Sequence, residues 1–103
     1  MGTTTLPDTT EQTDRDTRTE QIPPYKVIFL NDDVTTMEFV VQVIMMVFKK
    51  DQPTAVRLML EVHQAGAAVI DILPFEEAEH RQHLVHSAAH AAGFPLRCLI
   101  ESA

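Results

Sequence analysis

Proline and glycine divide residues 23–103 into short segments, and this punctuation limits how long any helix or strand can be. Pro53 and Pro74 suit the first turn of a helix, where the amide that proline lacks is not needed. Gly66 and Gly93 suit the left-handed position that ends a helix. The pattern therefore predicts one helix from about Pro53 to Gly66 and another from Pro74 to Gly93.

The hydrophobic pattern assigns the remaining segments. Residues 25–30 are rich in β-branched and aromatic side chains, which favours a strand. Thr35 precedes Glu38 by three residues, the spacing of a capping box, and this predicts that a helix starts at Thr36. Two further strands are predicted at residues 67–73 and 96–101.

These elements follow one another in the order βααβαβ, which predicts an α+β fold with a three-stranded antiparallel sheet and three helices packed on it. Residues 23–103 are too few for two separate cores, so one domain is expected. Residues 1–22 contain eight threonines and almost no large apolar side chains, and we expect a flexible N-terminal tail.

The net charge limits the classes of partner. Fifteen acidic residues against eight basic ones give a formal charge of -7. A negative field repels phosphate-rich molecules and attracts cations. Nucleic acid is therefore not an expected partner, whereas a cationic ligand such as the amino terminus of a peptide is favoured.

The apolar runs and the single cysteine bear on location. The longest apolar run, residues 43–48, is far shorter than the roughly 20 residues that a membrane helix needs. The first residues are polar and acidic, unlike a secretory signal. Cys98 has no cysteine to pair with in the chain, which fits a reducing compartment. We expect a cytoplasmic protein that makes no contact with a membrane.

A candidate binding site combines a polar turn with a histidine. Asn31, Asp32 and Asp33 precede a predicted helix that is apolar around most of its circumference, and His63 falls among apolar residues of the next helix. Each feature alone has a structural explanation, since Asn and Asp favour turns and a lone histidine is more often a core residue. Together they predict an apolar pocket with an acidic rim. The hydrogen-bond acceptors of that rim suit the three donors of a protonated amine.

Four stretches of the sequence carry a family resemblance. They are YKVIFLNDD (25–33), TTMEFV (35–40), LMLEVH (58–63) and GFPLRC (93–98). Together they resemble ClpS, the family of bacterial adaptors that deliver N-end-rule substrates to the ClpAP protease. The resemblance implies that residues 23–103 form an adaptor domain that is not an enzyme and needs no cofactor or metal.

The resemblance also implies roles for individual residues. Asn31, Asp32 and His63 would hold the α-amino group of an N-degron, the substrate's first residue. Six residues would line the pocket for its side chain: Thr35, Met37, Val40, Met59, Val62 and Leu96.

Further positions concern selectivity and delivery. Met37 matches the family position that excludes β-branched first residues and admits Leu, Phe, Tyr and Trp. Glu76 and Arg81 match positions that contact the partner, a ClpA-type AAA+ unfoldase. Val34 stands where the family usually has an aromatic residue, and the smaller side chain would leave the pocket mouth more open.

Three alternatives remain open at this stage. His83, His86 and His90, spaced by three and four residues on one helix face, could bind zinc or nickel, although surface histidines without a ligand are the favoured interpretation. Asp32 or Asp33 could act with His63 as an acid-base pair, but no nucleophile is predicted beside them. The domain could also be a structural interaction module without specificity for the first residue of a partner.

The methionines are divided between two predicted environments. Met45 and Met46 are expected in the core, whereas Met37 and Met59 flank the proposed site and suit an adaptable pocket lining.

Overall fold

The computed structural model describes residues 23–103, so the predicted tail at 1–22 lies outside the described residues. The α+β fold in the order βααβαβ is confirmed. The six elements are β1 (Pro24–Leu30), α1 (Met37–Phe48), α2 (Gln52–Ala65), β2 (Ala67–Pro74), α3 (Phe75–Ala92) and β3 (Arg97–Ser102).

The three strands form one antiparallel sheet in the order β2-β1-β3, so the first strand of the domain is the central one. Val27 and Phe29 of β1 point to the same face of the sheet and are fully buried. Leu30 at the end of β1 pairs with Ala67 at the start of β2. This pairing brings the loop after β1 next to the C-terminal end of α2.

The start of α1 follows a local capping rule and corrects the predicted boundary. Thr36, not Thr35, is the N-cap of α1, because its hydroxyl accepts a hydrogen bond from the amide of Phe39 at 3.2 Å. The helix accordingly starts at Met37, one residue later than expected. The hydroxyl of Thr35 instead donates to Oδ2 of Asp32 in the loop before the helix.

The second helix begins and ends as the sequence indicates. The carboxylate of Asp51 accepts the amide of Thr54 at 3.1 Å, and Pro53 lies in the first turn. Gly66 ends the helix with φ of 89°, in the left-handed region, and its amide donates to the carbonyl of Val62. Because glycine has no Cβ, this conformation carries little strain there.

The core lies between the sheet and the three helices. Its largest fully buried side chains include Phe29, Ile44 and Val85, which come from β1, α1 and α3 in turn. Met46 was expected in this core, but that expectation is wrong, since 69% of its surface is exposed. It lies four residues after Gln42 on the outward face of α1, away from the sheet.

None of the helices in the described part of the chain is both long enough and apolar enough to span a membrane.

Candidate functional site

A cavity of about 460 Å³ opens between the loop that joins β1 to α1 and the C-terminal half of α2. This size falls within the usual range of small-ligand pockets. Its lining consists of Asn31, Asp32, Asp33, Val34, Thr35, Thr36, Met37, Glu38, Val40, Met59, Val62 and His63.

The loop places Asp32 by satisfying its carboxylate. Oδ1 accepts the amides of Val34 at 2.8 Å and Thr35 at 2.7 Å, and Oδ2 accepts the hydroxyl of Thr35 at 2.8 Å. Such local bonds to following amides are typical of Asp in tight turns. The side chain is therefore held in one orientation beside the cavity.

These bonds also set the ionisation of Asp32. Partial burial by itself raises the pKa of a carboxyl, but the amide and hydroxyl of Thr35 and the amide of Val34 outweigh it and lower the pKa of Asp32 below its ordinary value. Asp32 is consequently a carboxylate at neutral pH. The cavity thus has a fixed negative charge at its rim.

A backbone contact joins the loop to the second helix. The amide of Asn31 donates to the carbonyl of Gly66 at 2.9 Å, immediately after α2 ends. His63 lies in the last turn of α2, three residues before Gly66. Asn31, Asp32 and His63 therefore line the same cavity, although 31 positions separate Asp32 from His63 in the sequence.

The remainder of the lining is mainly apolar. Val40, Met59 and Val62 are almost wholly buried and belong to the hydrophobic core, which they extend to the cavity wall. Met37 and Val34 are exposed at its mouth. The cavity therefore combines charged and polar groups at the rim with an apolar interior.

Leu96 is the one proposed pocket residue that does not reach the surface of the cavity in this structure. Leu96 is buried in the core, just before β3, and is not among the residues that line the cavity. Conversely, Thr36 and Glu38 line the cavity without having been proposed. Their position in the first turn of α1, on either side of Met37, is the sequence signal that could have identified them.

The two positions proposed for the unfoldase lie on α3. Glu76 is exposed in its first turn. Arg81 is half-buried: its guanidinium donates to the carboxylate of Glu77, at 3.0 Å from Nε, and to the carbonyl of Val47 near the end of α1. Arg81 thus links α3 to α1 within the domain.

The histidines of α3 do not come together as a metal site. Nε2 of His86 accepts the amide of Cys98 at 3.1 Å, so this ring is bonded to β3. Among residues 23–103, no three histidine, cysteine or acidic side chains are grouped so that they could hold a metal ion. Cys98 is fully buried outside the cavity lining, and burial raises the pKa of its thiol to about 12.

Comparison with known proteins gives the family. Residues 20–99 match the family model of the ATP-dependent Clp protease adaptor protein ClpS. The ClpS adapter of Desulfatibacillum aliphaticivorans is 49% identical over 84 residues, which are 82% of this chain and 81% of that protein. The ClpS adapter of Burkholderia cenocepacia is 40% identical over 101 residues, with 95% of this chain and 97% of the relative covered.

A solved structure agrees with this match. The structure of Agrobacterium tumefaciens ClpS2 bound to L-phenylalaninamide is similar to this chain with a TM-score of 0.77 and 35% sequence identity. The similarity covers 80% of this chain and 99% of the Agrobacterium chain. The βααβαβ fold, the nearly full-length relatives and the match over residues 20–99 together show that this chain belongs to the ClpS family of Clp protease adaptors.

Proposed function

We propose that this chain captures proteins by a free N-terminal α-amino group and a bulky apolar first residue, and delivers them to a ClpA-type AAA+ unfoldase. The observation that carries the proposal is the fixed carboxylate of Asp32 at the rim of a cavity with an apolar interior. A cation at one end and an apolar group at the other are the two features that such a cavity selects. The first residue of a peptide with a free amino end has both.

The polar rim suits an ammonium group. A carboxylate has about four lone-pair sites, and three on Asp32 are used within the loop, which leaves one on Oδ2 for a ligand. The amide oxygen of Asn31 and a ring nitrogen of His63 are two further acceptors among the residues that line the cavity. Three acceptors match the three donors of an α-ammonium group, and the bond to the carboxylate is the strong one.

The apolar interior suits the side chain of the first residue. Burying a Leu or Phe side chain contributes about 1.5 to 3 kcal/mol, and a charge-assisted hydrogen bond adds a similar amount. After the entropy lost on association is subtracted, we expect a micromolar Kd, which corresponds to a binding free energy of about -8 kcal/mol. Affinity in that range allows an adaptor to release its cargo.

Two relationships support this choice of ligand and partner. The Agrobacterium relative was solved with L-phenylalaninamide, a molecule with a free α-amino group and an apolar aromatic side chain. Membership of a Clp protease adaptor family supports a Clp unfoldase as the recipient. On the unfoldase side, exposed Glu76 is the better candidate for direct contact, because Arg81 is bonded within the domain.

Peptides that differ only at the first residue test the proposal. Leu, Phe, Val and Ala peptides, each with a free and with an acetylated amino end, are titrated against the full chain by calorimetry. We expect acetylation to abolish binding and Val to bind far more weakly than Leu. Equal binding of free and acetylated peptides contradicts the proposal and favours a structural interaction domain. Mass spectrometry of the recovered peptide should find it intact, whereas cleavage would indicate an enzyme.

A further inference from the structure

We propose that Met37 is a site of reversible oxidation by peroxides, and that its sulfoxide lowers the affinity of the cavity for apolar first residues. The inference rests on the proposed function, because it concerns the same cavity. Met37 lies at the cavity mouth with 43% of its surface exposed, so an oxidant in solution can reach its sulfur. At the same time, its side chain forms part of the lining that a ligand would contact.

The other sulfur atoms in the described part of the chain do not combine these two properties. Met46 is more exposed, at 69%, but does not line the cavity. Met59 lines the cavity but is buried, and Met45 is half-buried outside the lining. Cys98 is fully buried, and because burial raises its pKa to about 12 it remains a thiol and is a poor nucleophile. Among the described residues, Met37 is therefore the sulfur-containing residue that is both exposed to an oxidant and part of the cavity lining.

The chemistry is a two-electron oxygen transfer. The thioether sulfur of Met37 attacks one oxygen of hydrogen peroxide, an S–O bond forms and the O–O bond breaks. The second oxygen leaves as hydroxide, which takes the proton from the new S–OH group and departs as water. Sulfur is oxidised to the sulfoxide and the peroxide is reduced to water. Methionine sulfoxide reductases, supplied with a dithiol as reductant, return the sulfoxide to the thioether and release its oxygen as water, while the dithiol becomes a disulfide.

Oxidation changes what the cavity mouth offers to a ligand. A thioether is soft and apolar, and it can adapt to several apolar side chains. A sulfoxide is polar and must lose bound water when an apolar side chain covers it.

The test uses the full chain, hydrogen peroxide and the free-ended Leu peptide. Samples are taken during oxidation, the sulfoxide at each methionine is measured by peptide mapping, and the Kd is measured on the same samples. We expect the Kd to rise by about tenfold or more, equivalent to about 1.4 kcal/mol, in proportion to the sulfoxide at Met37. Treatment with sulfoxide reductases and a dithiol reductant should restore the original Kd. Bound Leu peptide should slow oxidation of Met37 but not of Met46.

Two variants assign the effect to one sulfur. Each variant is compared with itself before and after oxidation, so that a change in its starting affinity does not matter. Met46→Leu should respond to peroxide like the unmodified chain, whereas Met37→Leu should lose the response. The inference is overturned if the Kd is unchanged when Met37 is fully converted to the sulfoxide. It is also overturned if Met37 remains unoxidised after Met46 has been fully oxidised. If the reduced protein does not bind the peptide, the proposed function itself fails.

Discussion

Thr35 donates its backbone amide and its hydroxyl to opposite oxygens of the Asp32 carboxylate, at 2.7 and 2.8 Å. One residue thus fixes both the orientation and the charge of the acidic group at the cavity rim. Because these donors belong to the loop itself, the arrangement exists before any ligand arrives. Binding then costs little reorganisation, which is the usual advantage of a preformed site.

The charge of Asp32, rather than the net charge of the domain, should determine amine binding. Asp32→Asn keeps an oxygen that can accept the two loop amides but removes the negative charge. Since a hydrogen bond to a charged group contributes about 1.5 to 3 kcal/mol, we expect the Kd of a Leu peptide to rise by about tenfold or more. Asp33→Asn, which removes the same charge from the neighbouring residue, should cause a smaller rise. Equal losses measured by calorimetry would show that only the overall field matters.

Thr35 should control the ionisation of Asp32. In Thr35→Val the hydroxyl donor is lost while the shape is kept, so the pKa of Asp32 should rise toward its ordinary value. A carboxyl whose pKa is lower in the folded than in the unfolded protein stabilises the fold at pH values above its unfolded-state pKa. This stabilisation is lost as the pH falls through its folded-state pKa. Acid unfolding of the variant should therefore begin at a higher pH. Carbon NMR of the carboxyl measures the pKa, and Thr35→Ser, which keeps the hydroxyl, should resemble the unmodified protein.

Local rules explain why most element boundaries could be predicted. Gly66 and Gly93 end helices for a backbone reason that depends on one residue, and Pro53 marks a first turn in the same way. The predicted start of α1 is one residue too early because Thr35 and Thr36 both fit a cap. In the structure the hydroxyl of Thr36 accepts the amide of Phe39, while that of Thr35 donates to Asp32 in the loop. That competition depends on the loop's geometry and not on sequence spacing.

Tertiary packing explains the remaining differences. Residues of α1 are apolar nearly all round, so the sequence alone cannot tell that Met46 faces away from the sheet. Asn31 and His63 share a cavity because β1 pairs with β2 in one register, and periodicity within a helix does not contain that information. Their joint role was proposed from family resemblance, and their placement around one cavity supports it.

Met37 should decide whether β-branched first residues enter the cavity. Shortening it in Met37→Ala removes most of the side chain that stands at the mouth, so the Kd of a Val peptide should fall several-fold relative to that of a Leu peptide. Met46→Ala is the matched control, because it removes the same atoms from an exposed position outside the cavity and should leave the ratio unchanged. A Val-to-Leu ratio that is the same in both variants would exclude Met37 as the selective residue.

Substitutions at Arg81 and Glu76 should have different effects, the first on the stability of the domain and the second on delivery to the unfoldase. Arg81→Ala removes the hydrogen bonds to Glu77 and to the Val47 carbonyl, and because the group is partly exposed we expect a loss of about 1 kcal/mol in the free energy of unfolding. Glu76→Ala removes an exposed side chain and should change that free energy by less than about 0.5 kcal/mol. Urea denaturation measures both values.

The same two variants then test contact with the unfoldase. If Glu76 touches the partner directly, Glu76→Ala should weaken co-purification with a ClpA-type unfoldase while peptide binding and stability are retained. Arg81→Lys keeps the positive charge but cannot reproduce the forked contacts to Glu77 and Val47, so it should be destabilised like Arg81→Ala. Normal stability of Arg81→Lys, combined with lost unfoldase binding in Arg81→Ala, would instead assign Arg81 to the interface. In that case its bonds within the domain would be secondary, and the docking surface would extend along α3 from Glu76 to Arg81.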